Sequence, residues 1–247
     1  MLKKTVGIAL VCALPLTLTS VALADHEETT MNLQFSTSAK TQRAGTLRAP
    51  RPVNLSLALT QATTTGTGQP ATSTQLRVAL PRQMRWNGRL WPRTARCNPA
   101  RANQQRSVDA CPRSSRVGAG RVVALGGNGA IREEIVVTAV VTTGGDLGLF
   151  LSADAPLPLR TMLVGEVARQ RNIQINIPGN IQSPVAGVTT GISELSFRLN
   201  KTTRISGRTR AIVESTDCPR GRKWTLGFTS VYTHGSLTDS DTAPCRG

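Results

Sequence analysis

VNLSLALT, residues 53–60, sets Val53, Leu55, Leu57 and Leu59 against Asn54, Ser56, Ala58 and Thr60. A strict period of two with polar partners is the pattern of a strand with one buried face. The same alternation recurs along the chain. Met31, Leu33 and Phe35 share a face, as do Leu76, Val78 and Leu80, and Ile173, Ile175 and Ile177. Leu195, Phe197 and Leu199 follow, then Trp224, Leu226, Phe228 and Tyr232. The run IVVTAVV, 135–141, is apolar on both faces and reads as a central, fully covered strand. Between the runs stand glycine- and proline-rich breaks such as ALGGNGAI (124–131), TTGGD (142–146) and IPGNIQSPVAG (177–187). These supply turn chemistry.

The expected fold is therefore all-β: an antiparallel, jelly-roll-like β-sandwich of roughly ten strands. The one convincing helical signal is Asn98-Pro99, an N-cap followed by proline at the first helical position. It predicts one short helix, tethered by Cys97 just before its start. The organisation expected is a signal peptide at 1–24, a mobile N-terminal segment at 25–48 and a single β domain at 49–247.

The signal peptide is read from Lys3 and Lys4, the short apolar core Val6 to Leu16 and the Ala22-Leu23-Ala24 cleavage pattern. The apolar core is too short and wrongly flanked for a spanning helix, and no later stretch is apolar for long enough. Cleavage after Ala24 removes Cys12 and leaves Cys97, Cys111, Cys218 and Cys245. In an exported chain these form two disulfides, and proximity favours 97–111 and 218–245.

The chain holds 30 Lys+Arg against 14 Asp+Glu, a formal net charge of +16. Beyond Lys3 and Lys4 the only lysines are Lys40, Lys201 and Lys223, so arginine dominates. The segment RCNPARANQQRSVDACPRSSRVGAG, 96–120, and its flanks concentrate that charge. Arg85, Arg89, Arg93, Arg96, Arg101, Arg106, Arg113 and Arg116 surround Asp109, with Trp86 and Trp91 interleaved. Guanidinium forks match phosphate and carboxylate, and indole faces stack on rings. These ten residues are the candidates for contact with an anionic envelope polymer or lipid headgroups, and with nucleic acid only non-specifically. The competing reading is arginine-rich codon usage, with buried tryptophans and a solvated rim.

Other chemistry is thin. Thirteen residues separate Cys97 from Cys111, no C-x2-C pair exists and neither histidine is near, so no metal site is expected. Val117-Gly118-Ala119-Gly120 and the GGNG run match neither a P-loop nor a dinucleotide fingerprint, and no cofactor is expected. They read as close backbone packing at a strand start and as a hairpin turn. Glu133 and Glu134 are adjacent, so on a strand they face opposite ways and cannot flank one bond. Asp239 and Asp241 share a face, which suits a weak cation site or simple solvation beside arginine. No catalytic residue is assigned. The expected function is an exported, non-enzymatic envelope or extracellular protein; the alternative is a secreted hydrolase with a site near His234.

The two cysteine blocks also form a pattern. Cys111-Pro112, Ser115, Val117, Gly118 and Gly120 form one block; Cys218, Pro219, Gly221, Trp224, Tyr232, Gly235 and Cys245 form the other. This resembles secreted β-rich proteins of GC-rich bacteria. The resemblance implies two local disulfides and an exported β-rich domain, and implies no activity.

Overall fold

A computed structural model of the chain describes residues 29–63, 68–205 and 207–247. The signal peptide expected at 1–24 lies outside the described residues. In chain order the elements are β1 (Thr29–Thr37), β2 (Arg51–Pro52), β3 (Leu55–Thr63), β4 (Ser73–Ala79), β5 (Met84–Trp86) and the helix α1 (Pro99–Gln105). Then come β6 (Arg116–Gly126), β7 (Ile131–Val141), β8 (Leu147–Ala153), β9 (Leu159–Ala168), β10 (Asn172–Asn176) and the single turn α2 (Gly179–Gln182). The last are β11 (Thr190–Leu199), β12 (Thr202–Ile205), β13 (Arg208–Ala211), β14 (Val213–Ser215), β15 (Lys223–Tyr232) and β16 (Gly235–Pro244).

The fold is all-β and antiparallel, as the alternation requires. Eleven strands form one continuous sheet in the order β1-β3-β11-β6-β7-β8-β9-β10-β4-β15-β16. The sheet curls toward a barrel, so opposite inner faces pack across a shared interior. Every neighbouring pair is antiparallel. An odd number of alternating strands puts the first and the last in the same direction, so β1 and β16 meet in parallel. They meet through side chains. Asp239 Oδ2 accepts the Leu33 N–H at 2.8 Å, and Asp241 Oδ2 accepts the Phe35 N–H at 2.7 Å. Past β1, Ala44 N–H donates to the Arg246 carbonyl at 2.7 Å and Arg246 N–H to that of Gln42 at 2.9 Å. The two aspartates expected to be solvated or to hold a weak cation instead close the seam.

Within the stretch expected to be mobile, 25–48, the described residues include a paired strand. Thr29–Thr37 pairs with β3 along its whole length, from Thr29 opposite Thr63 to Thr37 opposite Leu55. Leu33 and Phe35 are buried, so the alternation of MNLQF gives this strand a core face to bury. The run 135–141 is covered on both faces only at its end. Val140 lies outward beneath a disulfide-tethered lobe, whereas Val136 is 59% exposed.

One end of the barrel is plugged. A three-stranded sheet, β2-β14-β5, lies across it. Val53 N–H donates to the Val213 carbonyl, and Asn87 N–H to that of Ile212. The Trp86 indole N–H reaches the Gly145 carbonyl, in the turn between β7 and β8, at 2.7 Å. Trp86, Met84, Ile212, Trp224 and Leu226 are all buried here. Within the plug, Glu214 has no exposed surface. Its Oε2 accepts from Arg85 at 3.0 Å and Arg210 at 3.4 Å, and its Oε1 from the Ala211 N–H at 3.3 Å.

The glycines of RVGAG sit where β6 pairs with β11, Gly118 opposite Leu199 and Gly120 opposite Phe197. A Cβ at Gly120 would stand 2.3 Å from the Ser196 carbonyl oxygen and 2.7 Å from Phe197. No side chain fits, which is the close approach expected of these glycines.

Candidate functional site

The disulfides pair Cys97 with Cys111 and Cys218 with Cys245. The first tethers α1, whose N-cap is Asn98: its Oδ1 accepts from Ala100 N–H at 3.0 Å and Arg101 N–H at 3.2 Å. The lobe packs Ala102 and the disulfide onto Val140, Phe150 and Met162, on the outer face of β7, β8 and β9. Asn103 then clamps β9 directly. Its Oδ1 accepts the Met162 N–H at 2.6 Å, and its amide donates to the Met162 carbonyl at 3.3 Å.

The ten anion-binding candidates divide on this lobe and the plug. Trp86 and Trp91 leave the set: they are 2% and 1% exposed. Their indole N–H groups are taken by the carbonyls of Gly145 and Ser114. Neither ring face is open to a ligand, because both fill the core. Arg85 is spent on Glu214. Arg96 donates to the carbonyls of Trp91, Thr143 and Arg89, and so holds its own loop. Arg116 pairs with Asp109 at 2.7 Å. Arg89, Arg93, Arg101, Arg106 and Arg113 remain exposed. His234 is exposed in the turn between β15 and β16. Among the described residues no group of three or more His, Cys, Asp or Glu side chains is placed to hold a metal.

The feature that sequence reasoning did not anticipate is inside the barrel. A cavity of about 580 Å³ runs between the inner faces of nine strands, from β3 to β15. Small-molecule sites span roughly 300–1,000 Å³. Its wall is aliphatic, including Leu55, Val78, Val137, Leu151, Leu163 and Ile175. Several wall residues, Val122, Leu149, Leu159, Ile192 and Leu195, are only partly buried although they face inward. They lack neighbours because the space beside them is not filled by protein. The cavity reaches the surface away from the plug. There it is lined by Leu157 and Pro158 before β9, by Asn180, Ile181 and Gln182 of α2 and by Pro184. Arg106 and Arg160 stand at the same rim, and Arg160 is ion-paired with Asp154.

Two polar features interrupt the apolar interior. Ser73 Oγ lies 2.7 Å from Ser230 Oγ, Gln61 donates to Ser230 at 3.5 Å, and the Tyr232 hydroxyl donates to Gln61 Oε1 at 2.9 Å. This set satisfies itself. Glu133 does not. It alternates with Ile135 and Val137 on the inner face of β7 and lines the cavity at 6% exposure. Its Oε2 accepts the Leu157 N–H at 2.9 Å, and its Oε1 has no hydrogen-bond partner. Glu134 faces out, among Arg121 and Arg132. The opposite facing of the pair was legible; that the inward member enters a cavity was not.

Away from the lobe the outer face of the sheet carries Arg121, Arg132, Glu134 and Glu194 in one exposed ion-pair group. A membrane-spanning barrel has the reverse arrangement, apolar outside and polar within. No helix among the described residues is long and apolar enough to cross a membrane. Neither the family models nor the curated proteins searched match this chain.

Proposed function

We propose that this protein is an exported, non-enzymatic binding protein whose curled sheet encloses one apolar small molecule. The observation that carries the reading is the cavity, with its aliphatic wall and partly unpacked inner side chains. Apolar area removed from water supplies the affinity, at roughly 25 cal/mol per Å². The plug makes it a blind site entered from one end. Export accords with the two disulfides, which persist in oxidising compartments.

The test is titration with Nile red, an uncharged dye that brightens in apolar surroundings. The folded protein should enhance its emission saturably. Leu149→Trp, which fills the cavity from its partly buried wall, should weaken that binding about tenfold or more. A folded wild type that leaves the dye unchanged overturns the reading.

A second reading has its own observation. Arg89, Arg93, Arg101 and Arg113 are exposed on the disulfide-tethered lobe and its approach. This surface suits an anionic envelope polymer. Binding there should fall steeply with salt and be lost in an Arg89, Arg93 and Arg101→Ser triple variant. Equal binding by variant and wild type would leave these arginines as a solvated rim.

A further inference from the structure

We infer that the ligand of the cavity ends in a hydrogen-bond donor, a hydroxyl or an amine on an apolar chain, and that Glu133 receives it. This rests on the cavity being a ligand site.

Glu133 is a carboxylate 6% exposed on a mostly aliphatic wall, on which Ser73, Thr161 and Thr190 are the small polar side chains. Half of it has a structural task, since Oε2 holds the Leu157 N–H at 2.9 Å and so fixes the segment that forms the rim. The other half has none. Among the described residues Oε1 is one of five buried side-chain polar atoms without a partner, and of those five residues Glu133 alone lines the cavity. A buried acceptor left unpaired costs about 1–3 kcal/mol, more when charged. A plain hydrocarbon would leave that cost in place, and a hydroxyl or ammonium removes it. A carboxylate or phosphate head would add a like charge beside it. The rim arginines do not reverse this preference. Arg160 is engaged by Asp154, and both Arg160 and Arg106 stand exposed at the entrance, where water screens them. The arrangement thus orders a ligand: chain among the leucines, donor at Glu133.

The experiment displaces Nile red with dodecanol, dodecylamine and dodecanoate, which share one chain and differ in the head. Wild type should bind the alcohol and the amine at least about tenfold more tightly than the carboxylate. Glu133→Gln keeps an acceptor for Leu157 and loses the charge, so amine affinity should fall to that of the alcohol. Glu133→Leu should bring all three together while Nile red still binds. Should the leucine variant not fold, the glutamine variant decides. Dodecanoate bound as tightly as dodecanol by wild type, or an order unchanged in the variants, overturns the inference. Nile red binding without head preference would sink this inference alone; absence of any binding would sink the cavity reading beneath it.

Discussion

Phe35 donates its backbone N–H to Asp241 Oδ2 at 2.7 Å, across 206 residues of sequence. Leu33 does the same to Asp239 at 2.8 Å. Carboxylates here do the work that carbonyls do within the sheet. Parity sets the direction of the pair, and residue type supplies the acceptors. A parallel partner strand was forced on β1, and inward-facing aspartates at alternate positions of β16 supply acceptors at the required two-residue spacing. Inward charges also make β16 a poor template for a strand from another molecule.

Replacing both aspartates by alanine should therefore open this seam before anything else. A loss of about 2–4 kcal/mol is expected for the double variant, from two buried donors left unpaired. Hydrogen exchange should speed at the Leu33 and Phe35 amides and not at Ala139, on the central strand β7. Asparagine at both positions keeps an acceptor and should recover much of the loss. Unchanged exchange at Leu33 and Phe35 would mean the seam is held by other contacts.

Glu214 should be the costliest single carboxylate to remove from the plug. Glu214→Ala strands Arg85 and Arg210, and breaking a buried pair costs 3–5 kcal/mol. Both arginine side chains keep about a quarter of their surface in water, 27% and 23%. Solvent screening therefore puts the expected cost near the lower end, about 3 kcal/mol. Urea denaturation measures it. A cost below that of Glu134→Ala, on the exposed outer face, would contradict the assignment.

The cavity makes two leucines of one inner surface unequal. Leu226 is fully buried and does not line the cavity. Leu226→Ala should cost about 3–5 kcal/mol. Leu149 lines the cavity and is partly exposed, so Leu149→Ala gives up fewer contacts and should cost about half as much or less. Equal losses would mean that the interior is packed shut.

Tyr232 is the chain's only tyrosine. Burial pushes its phenol above the ordinary value of 10.0, and a hydrogen bond with the Ser230 side chain offsets part of that. A raised folded value means the neutral phenol is favoured in the folded state. Its contribution to stability is whole below pH about 10 and is lost as pH climbs through the folded value. Absorbance at alkaline pH should show late ionisation, arriving with unfolding. Tyr232→Phe should flatten that alkaline slope at a neutral-pH cost of about 1 kcal/mol for the lost bond to Gln61. Ionisation at the ordinary value in a folded protein would count against the buried network.

The strands were legible because each has one wet and one dry face. Trp224, Leu226, Phe228 and Tyr232 point inward as their spacing demands. The helix was legible in Asn98-Pro99, and the disulfides in their proximity. Roughly ten strands were expected where the main sheet has eleven, plus short strands such as β2 and β14, which are too brief to show a period. The cavity was not legible. Alternation says which side chains face inward but not whether the facing layers meet, and a leucine beside empty space is written like a leucine beside another. Glu133 offered one cue, a carboxylate in phase with Ile135 and Val137. The burial of Trp86 and Trp91 was one of two open readings, and residue type could not choose between them: their partners, the carbonyls of Gly145 and Ser114, belong to the backbone.

The odd strand count has a consequence in time as well as in space. Between β1 and β16 lies nearly the whole sheet, so the seam is the contact of greatest sequence separation in the barrel. Loop-closure entropy places such contacts late in folding. Until residues 239–241 arrive, β1 is an open edge with the amides of Leu33 and Phe35 facing outward. The interior can assemble strand by strand, but the container is sealed only by its last strand. A chain halted before Asp239 would fold a wall and no vessel.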